Sequence, residues 1–254
     1  MKKIKSLLLL TAFTAATAFT ANAATDAVSV SGPTTSFNGF YLGAQGGWVK
    51  SKTKVTITDE KYAAARKTYY DQPANFSKNN SGFLGGTYFG YGRNFGGFYV
   101  GAEASILFDT TNRKASASGV DTTGIATFTD TVSIKRGIVF GLAPRFGFAF
   151  GNNLVYIKTG IELSREKLQG NAAASPLGNT VLDAEYSNSS TKATFTPEFG
   201  YERAFGKFLA RAAVSYNAGT KYSIQKDSSY GPVTELAKAS YSDYRLSVGI
   251  AYKF

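Results

Sequence analysis

The sequence predicts an all-β fold: an eight-stranded antiparallel transmembrane β-barrel with short periplasmic turns and four long extracellular loops. Three observations lead there. The chain opens on an export signal, returns eight times to an apolar/small alternation, and sorts its connections into three short and four long ones.

The opening reads MKKIKSLLLLTAFTAATAFTANAA. Lys2, Lys3 and Lys5 give a positive start, Leu7 to Phe19 a mostly apolar run, and Ala21-Asn22-Ala23 the small-x-small site that a signal peptidase needs. Residues 1–23 are therefore expected to be cleaved, leaving 24–38 as a periplasmic lead into a barrel over 39–254. Loss of the three lysines lowers the formal charge from +11 to +8. There is no cysteine, so no disulfide framework braces an exported chain. Nothing beyond the signal reaches the roughly eighteen consecutive apolar residues of a transmembrane helix.

Each strand follows from a period of two, which separates the side chains onto two faces. Phe40, Leu42, Ala44 and Trp48 alternate with Tyr41, Gly43 and Gln45. A glycine- and aromatic-rich second strand spans 82–93, and its facing stays open. Phe98, Val100, Ala102, Ala104, Ile106 and Phe108 make the third, with Tyr99, Gly101, Glu103 and Ser105 on the other parity. Ile138, Phe140, Leu142, Phe146, Phe148 and Phe150 oppose Gly141, Arg145 and Gly147. Val155, Ile157, Ile161 and Leu163 oppose Tyr156, Lys158, Gly160 and Glu162. Phe195, Phe199 and Tyr201 oppose Thr196, Glu198 and Glu202. Phe208, Ala210, Ala212, Val214 and Tyr216 oppose Arg211 and Ser215. The closing RLSVGIAYKF sets Leu246, Val248, Ile250, Tyr252 and Phe254 against Arg245, Ser247, Gly249, Ala251 and Lys253.

The connections fix the architecture. RNFGG, FGNN and AFGK supply turns of a few residues. The other gaps, roughly 50–81, 109–131, 166–191 and 218–239, are long and polar. Short turns at one end and long loops at the other, with an even strand count, describe an outer-membrane barrel. Its apolar parity then faces lipid rather than a core.

Three stretches carry a resemblance: the opening GFYLGAQGGW, the mid-chain APRFGFAFGNNLVYIKTG and the terminal YKF. They resemble the small porin-like outer membrane β-barrel family, which includes the OmpA membrane domain and related surface antigens of Gram-negative bacteria. The resemblance covers essentially the whole mature chain and implies the fold and an outer-membrane location. It implies that Tyr252 and Phe254 are the signal read by the barrel assembly machinery. It departs from full-length OmpA in that no peptidoglycan-binding part is expected after Phe254.

The inward parity brings charges into the lumen. Gln45, Glu103, Arg145, Lys158, Glu198 and Arg211 fall at similar heights, with Glu162 and Arg245 higher and Glu202 lower. Four glutamates meet four cations, and unpaired charge in a water-poor interior costs several kcal/mol, so these groups are expected to pair. The network reads as a structural plug, or alternatively as a gated ion path.

No enzyme is expected. The chain has no histidine, no GxSxG and no phosphate loop, and its glutamates face cations in a way that suits pairing better than acid–base work. No metal or cofactor site and no nucleic-acid role is expected. The first loop carries Lys61, Arg66, Lys67, Tyr69 and Tyr70, candidates for contact with lipopolysaccharide or with host surface or matrix proteins. The favoured function is a structural surface barrel supporting envelope integrity. An adhesin or immune-evasion surface and a narrow solute channel are the alternatives.

Overall fold

The computed structural model describes residues 35–58, 75–120, 126–176, 182–226 and 234–254. Ten strands account for nearly all of them. They are β1 (Gly39–Ile57), β2 (Asn75–Phe95), β3 (Phe98–Asp109), β4 (Asn112–Val120) and β5 (Ala126–Phe150). Then follow β6 (Asn153–Pro176), β7 (Leu182–Phe205), β8 (Phe208–Asn217), β9 (Lys221–Lys226) and β10 (Thr234–Lys253). Every pairing is antiparallel, and β10 returns to β1 over seventeen residue pairs, from Tyr41↔Lys253 to Ile57↔Ala237. β4 carries on the line of β3 past a break at Thr110–Thr111, and β9 carries on that of β8 past residues 218–220. At the level of the apolar belt the result is a ring of eight staves without a free edge, the condition for a sheet in lipid. Farther out, among the described residues, β4 and β9 are each paired on one side only.

The tight turns are glycine-driven. Gly96 and Gly97, both at positive φ (60° and 98°), join β2 to β3, a backbone that side chains resist. Gly151-Asn152 and Gly206-Lys207 close the other two turns at this end. One turn of 3₁₀ helix, Thr35–Phe37, tucks under the same end. Phe37 is buried there edge-on to Tyr99, and the Asn38 carboxamide oxygen accepts from the Asn94 amide at 2.6 Å.

The alternation sorts cleanly. Phe40, Leu42, Phe140, Ile161, Leu246 and Val248 point outward, Leu142 with 67% and Val248 with 63% of its surface uncovered. An apolar band running all round a closed barrel needs lipid against it. The second strand, open in the sequence, turns Phe83, Phe89, Tyr91 and Phe95 outward and Leu84 and Tyr88 inward.

The strands run far past the stretches expected to be loops. Within 50–81, β1 persists to Ile57 and β2 begins at Asn75; within 109–131 lie β4 and the start of β5. β6 and β7 occupy most of 166–191, and β9 and β10 much of 218–239. The cause is an inversion of polarity, not a loss of alternation. Beyond the apolar band Lys50, Lys52 and Lys54 face outward, while Ser51, Thr53 and Val55 are buried. The loop contact candidates Lys61, Arg66, Lys67, Tyr69 and Tyr70, and the segment 1–23, lie outside the described residues.

Candidate functional site: the charged lumen

The interior is layered. At the periplasmic end an apolar and aromatic cluster of Phe37, Tyr41, Tyr88, Tyr99, Leu154, Tyr156 and Leu209 closes the barrel. Three of these rings lie flat only because glycine faces them across the ladder. Tyr41 stands opposite Gly90, Tyr88 opposite Gly43 and Tyr156 opposite Gly200, and a Cβ on any of these glycines would overlap the ring.

The tyrosines carry the first charge layer. Arg145 lies 4.0 Å over the Tyr156 ring and Arg211 3.8 Å over that of Tyr88, a cation–π arrangement strengthened by exclusion of water. Glu103 sits at the centre. It accepts from Arg211 at 2.7 Å, Lys158 at 2.9 Å, Arg145 at 3.4 Å and the Tyr41 hydroxyl at 3.1 Å. Glu202 bridges Arg145 at 3.0 Å and Arg211 at 3.2 Å. Glu198 meets Lys158 at 3.0 Å and the Tyr156 hydroxyl at 3.0 Å. Three carboxylates thus face three cations.

A second layer lies farther out. Arg245 makes a bidentate contact with Glu162 at 2.6 and 3.0 Å. Arg136 donates to the same Glu162 at 3.2 Å and pairs with Glu166 at 3.3 Å. Arg113, fully buried, is clamped between Asp109 and Asp243, both at 2.6 Å, and lies 4.7 Å over Tyr241. Burial works against the Arg113 charge, but Asp243 and Asp109 outweigh it and hold its pKa above the ordinary value. Above this layer Val55, Ala115, Val132, Ile134, Leu168, Tyr222, Ala237, Ala239 and Tyr241 form an ordinary apolar core.

Between the layers a small cavity of about 30 Å³ remains, room for a water or two, lined by small residues (Gly47, Ser105, Gly141, Ser247) and by Lys158, Glu162 and Arg245. Both of its ends are crossed by ion pairs.

All eight lumen candidates therefore lie inside: Glu103, Arg145, Lys158, Glu198, Glu202 and Arg211 in one layer, Glu162 and Arg245 in the other. The partner of Glu198 is Lys158, not Arg145, because Arg145 leans toward Glu202. Five participants escaped the sequence reading: Asp109, Arg113, Arg136, Glu166 and Asp243. Glu166 and Asp243 merely continue the inward parity of Glu162 and Arg245. Arg136 has the parity that faces lipid farther down β5, and a bulge between Arg136 and Val139 turns it inward.

A closed antiparallel ladder with an apolar belt outside and compensated ions inside inverts the plan of a soluble protein. The molecule is a small outer-membrane-type β-barrel. No protein-family model and no curated protein sequence matches it. Among solved structures it is similar to Neisserial surface protein A, NspA, at 15% identity over 85% of this chain and 98% of that one, with a TM-score of 0.37. It is similar to the outer membrane protease OmpT of Escherichia coli at 8% identity, over 90% and 100% of the two chains, TM-score 0.40. A third is Ail, the attachment invasion locus protein of Yersinia pestis, in complex with the heparin analogue sucrose octasulfate. It is 12% identical over 84% and 99% of the chains, TM-score 0.32. What makes this chain a barrel is its own pairing and belt.

Proposed function

We propose that the protein is a structural barrel of a Gram-negative outer membrane that supports envelope integrity and displays its outer strands and loops. One observation carries this reading: two layers of paired charge cross the lumen, with apolar clusters beyond each. Such an interior suits a sealed stave better than a channel, because ions held by several partners each are costly to free. Export would use residues 1–23. Assembly would use the last strand, where Tyr252 packs edge-on to Phe254 at 5.4 Å and the Phe254 amide donates to the Phe40 carbonyl at 3.0 Å. Its partners would be membrane lipid, lipopolysaccharide and the barrel assembly machinery.

Cells lacking the protein should admit bulky antibiotics and detergents, and a version trimmed at 59–74, 121–125, 177–181 and 227–233 should restore the barrier. The purified barrel should be silent in planar bilayers. Restoration that required the trimmed segments would favour a loop-borne activity, such as binding of host proteins. Steady conductance by the wild type would favour a channel.

A further inference from the structure

Charge in this barrel is sorted by face. All eight acidic residues whose side chains are described point inward: Glu103, Asp109, Asp130, Glu162, Glu166, Glu198, Glu202 and Asp243. The outer face just beyond the apolar belt is cationic instead. On β1, Lys50, Lys52 and Lys54 follow Trp48 on one face, with Ser77, Asn79 and Ser81 beside them on β2.

The opposite side of the ring is more telling. Lys135 of β5 stands directly across from Lys167 of β6 in the ladder, both exposed. Arg165 follows on the same face of β6, and Lys114 of β4 lies diagonal to Lys135 through its pairing with Ser133. Like charges directly opposite on adjacent strands destabilise a sheet. No described carboxylate on that face relieves them.

Height decides what would. The last belt residues of these strands are Ile138 and Leu163, and the cations begin two or three residues farther out, on the order of 7–10 Å along a strand. A lipid whose acyl chains cover the belt holds its headgroup phosphates at that level.

We propose that Lys114, Lys135, Arg165 and Lys167 form a clamp for the phosphates of an outer-leaflet lipid. The proposal rests on the reading of the belt as membrane-embedded. The cation pair is tolerated because the lipid phosphate lies between its members, and the lipid in turn is held against the barrel wall.

The test uses the full barrel refolded into phosphatidylcholine vesicles, with and without diphosphorylated lipid A, read by thermal unfolding. Lipid A should raise the melting temperature of the wild type. In Lys135→Gln with Lys167→Gln, the lipid A needed for half of that rise should increase about 25-fold, taking roughly fivefold per lysine at an anionic surface. In phosphatidylcholine alone the same variant should be as stable as the wild type or more so, since the repulsion is gone. The Lys135→Arg with Lys167→Arg variant should respond to lipid A as the wild type does.

A wild type that inserts but ignores lipid A would overturn the clamp while leaving the barrel reading intact. Failure to insert at all would instead overturn the barrel reading. Loss of stability of the glutamine variant in phosphatidylcholine would make the lysines structural. An equal rise with inorganic phosphate would make the site one for free anions, and a rise with a soluble sulfated oligosaccharide but not with lipid A would make it a glycan site. Either result would overturn the proposal.

Discussion

The membrane belt and the extracellular tower are made from the same strands, yet they have opposite polarity. On β6, Ile161 and Leu163 face lipid while Glu162 faces the lumen; a few residues on, Arg165 and Lys167 face water while Leu168 is buried. On β10, Leu246 and Val248 face lipid beside an inward Arg245, whereas Ser240 and Ser242 lie outward of a buried Tyr241. The backbone ladder registers the change too. The β2–β3 and β7–β8 pairings stop at Leu84↔Asp109 and Glu198↔Ser215. Beyond them, among the described residues, β4 pairs only with β5 and β9 only with β10, since edges that water can satisfy need not be closed. What changes is the medium outside. Lipid makes the outer face apolar and leaves the lumen to ions that neutralise one another. Water makes the outer face charged, and the inside, after one more ion layer of Arg113, Arg136, Glu166 and Asp243, reverts to a packed core.

The two interiors should therefore fail in different ways. In the belt the expensive event is an orphaned ion. Replacing Glu103 with alanine leaves Arg145, Lys158 and Arg211 short of an acceptor at once, and should cost roughly 3–5 kcal/mol or more in a refolding titration. Replacing Glu198 should cost clearly less, since Lys158 keeps Glu103. Equal losses would mean that the layer is not centred on Glu103.

In the tower the expensive event is a cavity. Leu168→Ala removes a fully buried side chain from the cluster with Ile134 and Tyr222, and should cost on the order of 2–5 kcal/mol. A loss below about 0.5 kcal/mol, the level of an ordinary surface change, would show that the tower is not packed in solution.

The belt was legible in the sequence because an apolar face turned to lipid alternates over ten or so residues without interruption. Phe98 to Phe108 is enough to place Glu103 inside, and Phe208 to Tyr216 places Arg211. The tower was not legible, for two physical reasons. Its outward residues are Lys, Ser and Asn, so the stretches read as polar loops although the period of two continues through them. A bulge also resets the phase at Arg136, ahead of Val139, whereas Arg113 keeps the odd inward parity of Glu103 and is hidden only by the polar stretch around it. Partner choice was out of reach as well. Parity places Glu198 and Arg145 on the same face, but only the tyrosines beneath the arginines decide that Arg145 turns to Glu202.

The smallest effects test the boundary between the two regions along a single strand. Val248 and Ser242 share the outward parity of β10, six residues apart, and differ only in what lies outside them. Val248 pairs with Gly46 and Ala212, midway between Tyr252 and Tyr244, so a lysine there must hold its charge near the bilayer midplane. That should cost roughly 2–4 kcal/mol in a folding titration into lipid vesicles. Ser242 stands beside Lys52, beyond Tyr244, where a lysine reaches water. Its cost should stay within about 0.5 kcal/mol, and the mild repulsion from Lys52 should shrink as salt is added. Were Ser242→Lys as harmful as Val248→Lys, the belt would extend over the tower, and the polarity inversion would not mark the membrane surface.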